Sequence, residues 1–509
     1  DTKEVEIGAM TTIDVVMGFD ILQLNEVVVT AGGLVVQRRE LGTQVTTVNA
    51  TDITQGKSQN PVAGLQGKVP GLLISAVSSG VNPSYRVVLR GQRSLLGNNQ
   101  ALLVLDGIIT PNSVLGNLNP EDILDIQVLN GAGAAALYGS DASNGALIVT
   151  TKRGQEGKAE IKVSNTTTLE QVSFLPKLQS AFGPGSTPDT PPVYTPYENQ
   201  QYGPRFDGSI RPIGKPLADG SIQEVRYSPT DARNDFWETG LMNQTDFSLS
   251  SGDDKGTIYA AAQYFRQEST VPWDEYQRYS FRVNTDRKIG KTVKASVSTN
   301  YIANRYDVSW RVGNAYTDVL MSPANVDITK YRDWRNDPFA NPNGYYNEYF
   351  DNPYFTLANN REETKNNYFQ GALELKWNTI EPLTFTGRVG LSTRGITSKY
   401  TTGKFIFSDY TKSISGSNTD IAGFVGDATV NTNQLVGDLY AEYKKDLSQD
   451  FSMTVVAGVQ SRDNTAKYIN VAANGLVISD VYNVSNTLTN LGVLNQIGNP
   501  LTGRAFDNN

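Results

Sequence analysis

The residues that most resemble a chemical device are 131–136, Gly-Ala-Gly-Ala-Ala-Ala, directly after an apolar run containing Ile123, Ile126, Val128 and Leu129. In that position a G-x-G-x-x-[GA] pattern can open a helix whose first N–H groups hold a pyrophosphate. The rest of a doubly wound domain is missing, since no βα alternation follows and no acidic residue closes the next β-prone run at 146–151. A glycine pattern without that context predicts little. The adjacent acids Glu362-Glu363 and Asp253-Asp254 read as solvated turns or loops, because two catalytic carboxylates need a defined separation across a substrate. Asn341-Pro342-Asn343-Gly344 lacks the ligand spacing of a calcium loop. The sequence contains no cysteine and no histidine, which excludes disulfides, Cys or His metal sites and His-assisted nucleophiles within it. No catalytic residue, metal ligand or cofactor is therefore expected.

What remains must act through shape. The 509 residues suffice for several ordinary domains or for one large barrel with a plug. No stretch offers the roughly 18 charge-poor apolar residues of a transmembrane helix; the best one, 101–109, is interrupted by Asp106. The mean hydropathy of −0.36 suits a soluble chain and equally a membrane β-barrel, in which only alternate residues face lipid. A formal net charge of −8 argues against nucleic acid as a partner. No leader-like n-region or h-region opens the sequence, so Asp1 reads as the start of a mature or trimmed chain.

Four blocks organise the first third. They are 63–72 (AGLQGKVPGL), 90–100 (RGQRSLLGNNQ) leading to an apolar run and Asp106-Gly107, 119–123 (NPEDI), and 124–154, which ends in Lys152-Arg153-Gly154. In this order and spacing they closely resemble the plug domain of TonB-dependent outer-membrane transporters, specifically the SusC/RagA-like branch. Asn130 stands where the family often has Lys, and Asp141 where it often has a basic residue, which weakens any expectation about particular plug salt bridges. Upstream, Glu26-Val27-Val28-Val29-Thr30 is β-prone and flanked by Gly32-Gly33. Such a segment can add to a partner's sheet as an edge strand, and it resembles a TonB box. The runs at 3–7 and 11–17 resemble the end of a β-sandwich extension that precedes the plug.

After Gly154 the period changes to two. In 292–301, Val293, Ala295, Val297 and Tyr301 alternate with Lys294, Ser296, Ser298 and Asn300; 368–378, 383–392, 435–444 and 451–460 repeat the pattern. Alternation over about ten residues is the signature of a transmembrane β-strand. Polar residues are expected toward the lumen and apolar ones toward lipid. Short links near 252–256, 288–291, 379–382 and 447–450 alternate with long ones at 172–242, 304–365 and 396–433 and a medium one near 269–277, as short periplasmic turns and long extracellular loops would. About nine strands result, against ~22 in a closed plugged transporter, so the chain is expected to represent about half of a family member.

The resemblance implies a transmembrane antiparallel β-barrel with an N-terminal α+β plug domain in its lumen. The expected segments are 1–23 (end of the extension), 24–34 (TonB box and linker), 35–154 (plug) and 155–509 (first part of the barrel). It also implies the outer membrane of a Gram-negative, Bacteroidota-like bacterium and import of an oligomeric glycan or peptide. The implied partners are the TonB-ExbB-ExbD complex at Glu26–Thr30, a SusD-like surface lipoprotein and outer-membrane lipid. An alternative is a structural or accessory subunit of a larger outer-membrane assembly, whose other subunits would then be partners. In the loops, the aromatic residues Trp310, Trp334, Tyr345, Tyr346 and Tyr349 are candidates for stacking on substrate and equally for packing the loop.

Overall fold

The computed structural model describes residues 45–488 apart from 59, 77–79, 82–84, 187–189, 231, 417 and 449–450, together with two short strands, β1 (Val27–Val29) and β2 (Val35–Gln37). The runs at 3–7 and 11–17 lie outside the described residues.

The plug is built on a five-stranded sheet. Its strands are β3 (Val45–Asn49), β6 (Leu102–Leu105), β7 (Ile108–Thr110), β8 (Ile123–Leu129) and β9 (Ala146–Thr151), in the order β3-β8-β9-β6-β7, and a separate hairpin pairs β4 (Leu72–Ala76) with β5 (Tyr85–Leu89). The short apolar runs are buried: Leu103, Leu105, Ile126, Leu147 and Val149 are all almost inaccessible. Asp106 and Gly107 both adopt positive φ, as the two-residue β6–β7 hairpin requires.

The glycine pattern at 131–136 opens helix α1 (Gly131–Tyr138). Strands β8 and β9 on either side of it run antiparallel, whereas a dinucleotide-binding unit needs them parallel. A Cβ at Gly131 would lie 2.4 Å from the Ser143 carbonyl oxygen, so the missing side chain serves close packing.

From Gly157 the chain builds one nine-stranded antiparallel wall. It begins with β10 (Gly157–Glu170). After a long excursion that contains the hairpin β11 (Ile210–Ile213) and β12 (Gln223–Arg226), it continues through β13 (Gly240–Gly252), β14 (Gly256–Glu268), β15 (Glu275–Ile289), β16 (Val293–Ser309), β17 (Asn360–Ile380), β18 (Leu383–Thr402), β19 (Phe424–Asp446) and β20 (Ser452–Asn474). Each wall strand pairs with the next, and β10 and β20 are the two edges. Turns at 253–255, 290–292 and 381–382 and a longer link at 447–451 close one end; the opposite end carries the link 269–274 and the excursions 171–239, 310–359 and 403–423.

The wall strands run well beyond ten residues: β17 has 21, and β19 and β20 have 23 each. Residues 304–309, 360–365, 396–402 and 424–433, expected as loop, are strand. About 9–11 residues cross a bilayer. The ladder continues past that because its backbone bonds hold equally well outside lipid, where alternation is no longer needed.

The wall is inside-out relative to a soluble sheet. Arg278, Arg282, Asn284, Asn300 and Gln370 are buried, whereas Phe281, Leu373, Trp377, Val389 and Leu439 are exposed. The outward apolar face suits lipid, and the inward polar face meets the plug. Leu373→Arg places a charge near mid-membrane and is expected to cost about 2–4 kcal/mol. A heat-modifiability gel of outer-membrane fractions should show loss of the folded species, with Leu373→Val unaffected; a fully folded Leu373→Arg protein would contradict the lipid-facing assignment.

Candidate functional site

The plug meets the wall through many buried polar groups, beside apolar patches where Ile302 and Tyr368 join the plug core and Val81 packs on Met242, Phe265 and Tyr276. The Asp-Gly turn and the 3-10 turn Pro120–Asp122 each present a carboxylate to one wall arginine. Arg282 Nη1 lies 3.4 Å from Asp106 Oδ2, and its Nε lies 3.5 Å from Asp122 Oδ2. Each side chain is no more than 5% exposed. Asp106 also accepts from the Thr151 N–H at 3.0 Å, and Asp122 from the Tyr259 hydroxyl at 3.2 Å. Burial pushes the Asp122 carboxyl up and the Arg282 charge pulls it back.

Further contacts extend this seam. Asn119 caps the 3-10 turn by accepting from the Glu121 N–H at 3.0 Å, and its amide donates to Asp246 at 3.0 Å. Asn284 donates to the Thr151 hydroxyl and the Lys152 carbonyl at 2.9 and 2.7 Å. Arg153 pairs with Asp286 at 2.9 Å. Gln370 donates to the Leu105 carbonyl at 3.1 Å. Arg388 pairs with Glu374, and a Cβ at Gly107 would stand 2.6 Å from its guanidinium.

On the long-loop side of the plug lies a cavity of about 1020 Å³. Plug residues line one side, among them Arg86, Asn98, Gln100 and Asp141; wall residues line the other, among them Asn304, Asn366, Arg394 and Arg462. The sequence marked Asp141 only as a departure from the family pattern and Asn98 and Gln100 only as part of the 90–100 block, and it singled out none of the others. The signal was present in the period-two pattern: Arg388, Ser392 and Arg394 share one face of β18, and the first two are buried toward the plug.

The excursions fold into a cap with an aromatic core. Trp334 and Tyr346 are buried in it, with Tyr345 packed beside them and the Tyr345–Tyr346 ring centroids 4.7 Å apart. Trp310 is partly exposed, and its indole donates to the Thr401 carbonyl at 3.2 Å. Tyr349 is the most open of the five, at 58% exposure. Tyr345, Tyr346 and Tyr349 line an outer pocket of about 500 Å³, and neither Trp310 nor Trp334 lines it. The Asn352-Pro353-Tyr354-Phe355 block builds the cap. Asn352 accepts from the Tyr354 N–H at 3.0 Å to start helix α2 (Pro353–Asn359), and its amide donates to the Tyr331 and Ala340 carbonyls.

The TonB-box expectation meets the structure only in part. Val27, Val28 and Val29 form β1, paired antiparallel with β2, while Glu26 and Thr30 lie outside the described residues.

Comparison with known proteins agrees with this architecture. Residues 37–146 match the TonB-dependent receptor plug domain family. The chain is 28% identical over 399 residues to TonB-dependent receptor P26 of Formosa agariphila, covering 74% of this chain and 36% of that one. It is 25% identical over 482 residues to TonB-dependent receptor SusC of Bacteroides thetaiotaomicron, covering 88% and 44%. Among solved structures it resembles the RagAB peptide importer in its closed-closed and open-open states, with TM-scores of 0.67 and 0.68, 18% and 17% identity, and coverage of 88% and 91% of this chain against 50% and 52% of that one. The chain spans about two-fifths of the curated relatives it matches and half of the structural ones. Plug, wall and relatives together give the chain the plug-and-barrel fold seen in TonB-dependent receptors, and its residues 37–146 are similar to their plug domain. In sequence the chain is similar to SusC and in fold to RagAB; the relatives carry the names of receptors and of an importer.

Two outcomes follow from the site's electrostatics. Arg282→Met leaves two buried carboxylates without their cation and should cost about 3–5 kcal/mol. Hydrogen exchange in 102–110 and 119–129 should accelerate, and unchanged protection would show that the ion cluster does not hold the plug. In the cap, Asp318, on the helix Val312–Leu320, accepts from the Thr356 hydroxyl at 3.0 Å, and burial pushes its carboxyl up to about 7. A carboxyl raised in the native state is best accommodated protonated, so the cap loses stability as pH climbs from about 4 through 7. Protection of 312–320 and 353–359, corrected for intrinsic rates, should be greater at acidic than at alkaline pH, and Asp318→Asn should reduce the difference, the remainder coming from Asp351, whose carboxyl burial also pushes up.

Proposed function

We propose that the chain is the plug and part of the wall of a TonB-dependent importer in the outer membrane of a Gram-negative, Bacteroidota-like bacterium, and that its cargo is an oligomer, glycan or peptide. The observation that carries this reading is a cavity on the long-loop side, closed below by a plug held in the wall by hydrogen bonds and ion pairs. Such contacts are directional and hold the plug in one placement, and they leave a lumen face on the wall that water can wet once the plug moves.

Glu26, Val27, Val28, Val29 and Thr30 are the residues proposed to pair with TonB. Their extended conformation at Val27–Val29 supports addition to a partner's sheet. Energy from the TonB-ExbB-ExbD complex then reaches the plug from its N-terminal side. A SusD-like lipoprotein is the proposed cover over the long-loop end, where Trp310, Trp334, Tyr345, Tyr346 and Tyr349 shape the cap, and Tyr349 has the face most open to a ligand. RagAB, the structural relative, is a peptide importer.

Val28→Pro removes a backbone donor from the segment and should abolish host growth on the nutrient that requires this protein, while surface abundance stays normal. Normal growth of that strain would overturn the importer reading in favour of an accessory role.

A further inference from the structure

Resting on the import reading, the inner cavity's lining carries information about its cargo. The charged side chains there are Arg86, Arg394 and Arg462 against Asp141, a local excess of two positive charges in a chain whose formal net charge is −8. Asp141 Oδ2 stands 2.6 Å from Arg462 Nη2 and offsets that guanidinium. Arg394 is half-buried, and its Nε donates to Asn366 at 3.1 Å, which fixes the plane of the fork. Arg86 is exposed on the plug strand β5. The positive groups thus stand on both plug and wall, so one ligand can touch both.

The neutral lining narrows the class further. Nine carboxamides line the cavity, including Asn98, Asn112, Asn144 and Gln434, against five Val, Leu or Ile side chains. A carboxamide offers a donor and an acceptor in one plane, which matches neighbouring sugar hydroxyls. Tyr85 and Tyr306 add aromatic surface to the lining. The lining leaves few apolar recesses for the side chains of a peptide. Guanidinium groups bind carboxylate and sulfate with two parallel hydrogen bonds. We propose that this cavity selects an anionic oligosaccharide, bearing carboxylate or sulfate groups, over neutral glycans and over peptides.

The test uses the full-length protein purified with its native partners. It is offered oligogalacturonates and their methyl esters, sulfated oligosaccharides and their desulfated counterparts, maltooligosaccharides and an acidic peptide. Retention is expected for anionic sugars alone and should weaken with salt. Arg86→Gln and Arg394→Gln should each weaken it about tenfold, the loss of one charge-assisted hydrogen bond. Asp141→Asn should strengthen it, which tests the idea even if a wall variant fails to fold. Equal retention of the neutral counterparts, preference for the peptide, or indifference to both Arg86→Gln and Asp141→Asn would overturn the assignment. If charge discrimination fails while Val28→Pro still stops uptake, only the cargo class falls; if discrimination holds while Val28→Pro takes up cargo normally, the reading of import driven by TonB at 26–30 falls.

Discussion

Arg282 is the contact on which the arrangement turns. It reaches from the wall to two plug carboxylates on separate turns, Asp106 and Asp122, all out of water. A buried ion pair seldom adds stability over apolar packing, but a misplaced one is costly. The cluster therefore demands a particular placement. It sets which residues of β15 face inward, and through the ladder it sets the register of every neighbouring strand. It also brings the Asp106-Gly107 turn, at positive φ, close beside the Arg388 guanidinium. A wall with apolar residues outward and polar residues inward is consistent only if something polar fills the inside, and the plug does so.

The cap follows a different logic. Its core is apolar and aromatic, as in a soluble domain, and it is tied together by Asn352 and Asn359, whose amides donate to backbone carbonyls of distant loop segments. Two types of packing thus coexist along single strands: polar and inward near the plug, aromatic and globular beyond it. The inner cavity lies where one gives way to the other.

Much of this was legible in the chain. Period-two alternation marked the wall strands and their inward faces, and the order of the glycine-rich blocks marked the plug. The strand ends were not legible, because hydrogen bonding continues past the lipid where alternation stops mattering; hence 424–433 read as loop and is strand. Asp106 stood in the sequence as the residue that interrupts an apolar run, and nothing local indicated that Arg282, 176 positions away, would meet it. The cavity was hidden for the same reason, since its lining joins Arg86 to Arg462 only through the fold. The loop aromatics gave no sign of which would be buried: Trp334 and Tyr346 went into the core, while Tyr349 stayed open.

The plug sheet is also graded in mechanical strength. Strand β3 lies at its edge, bonded to β8 alone over five residue pairs, and it is the first plug-sheet strand that tension from the N-terminal side would meet. Behind it, β8 and β9 are braced on both sides, and the turns beside β6 and β8 are anchored by the arginine cluster. A steady pull would peel the edge strand like the end of a zip before any load reached the anchored turns. The domain is thus built to yield from one side, with a soft leading strand and a hard remainder.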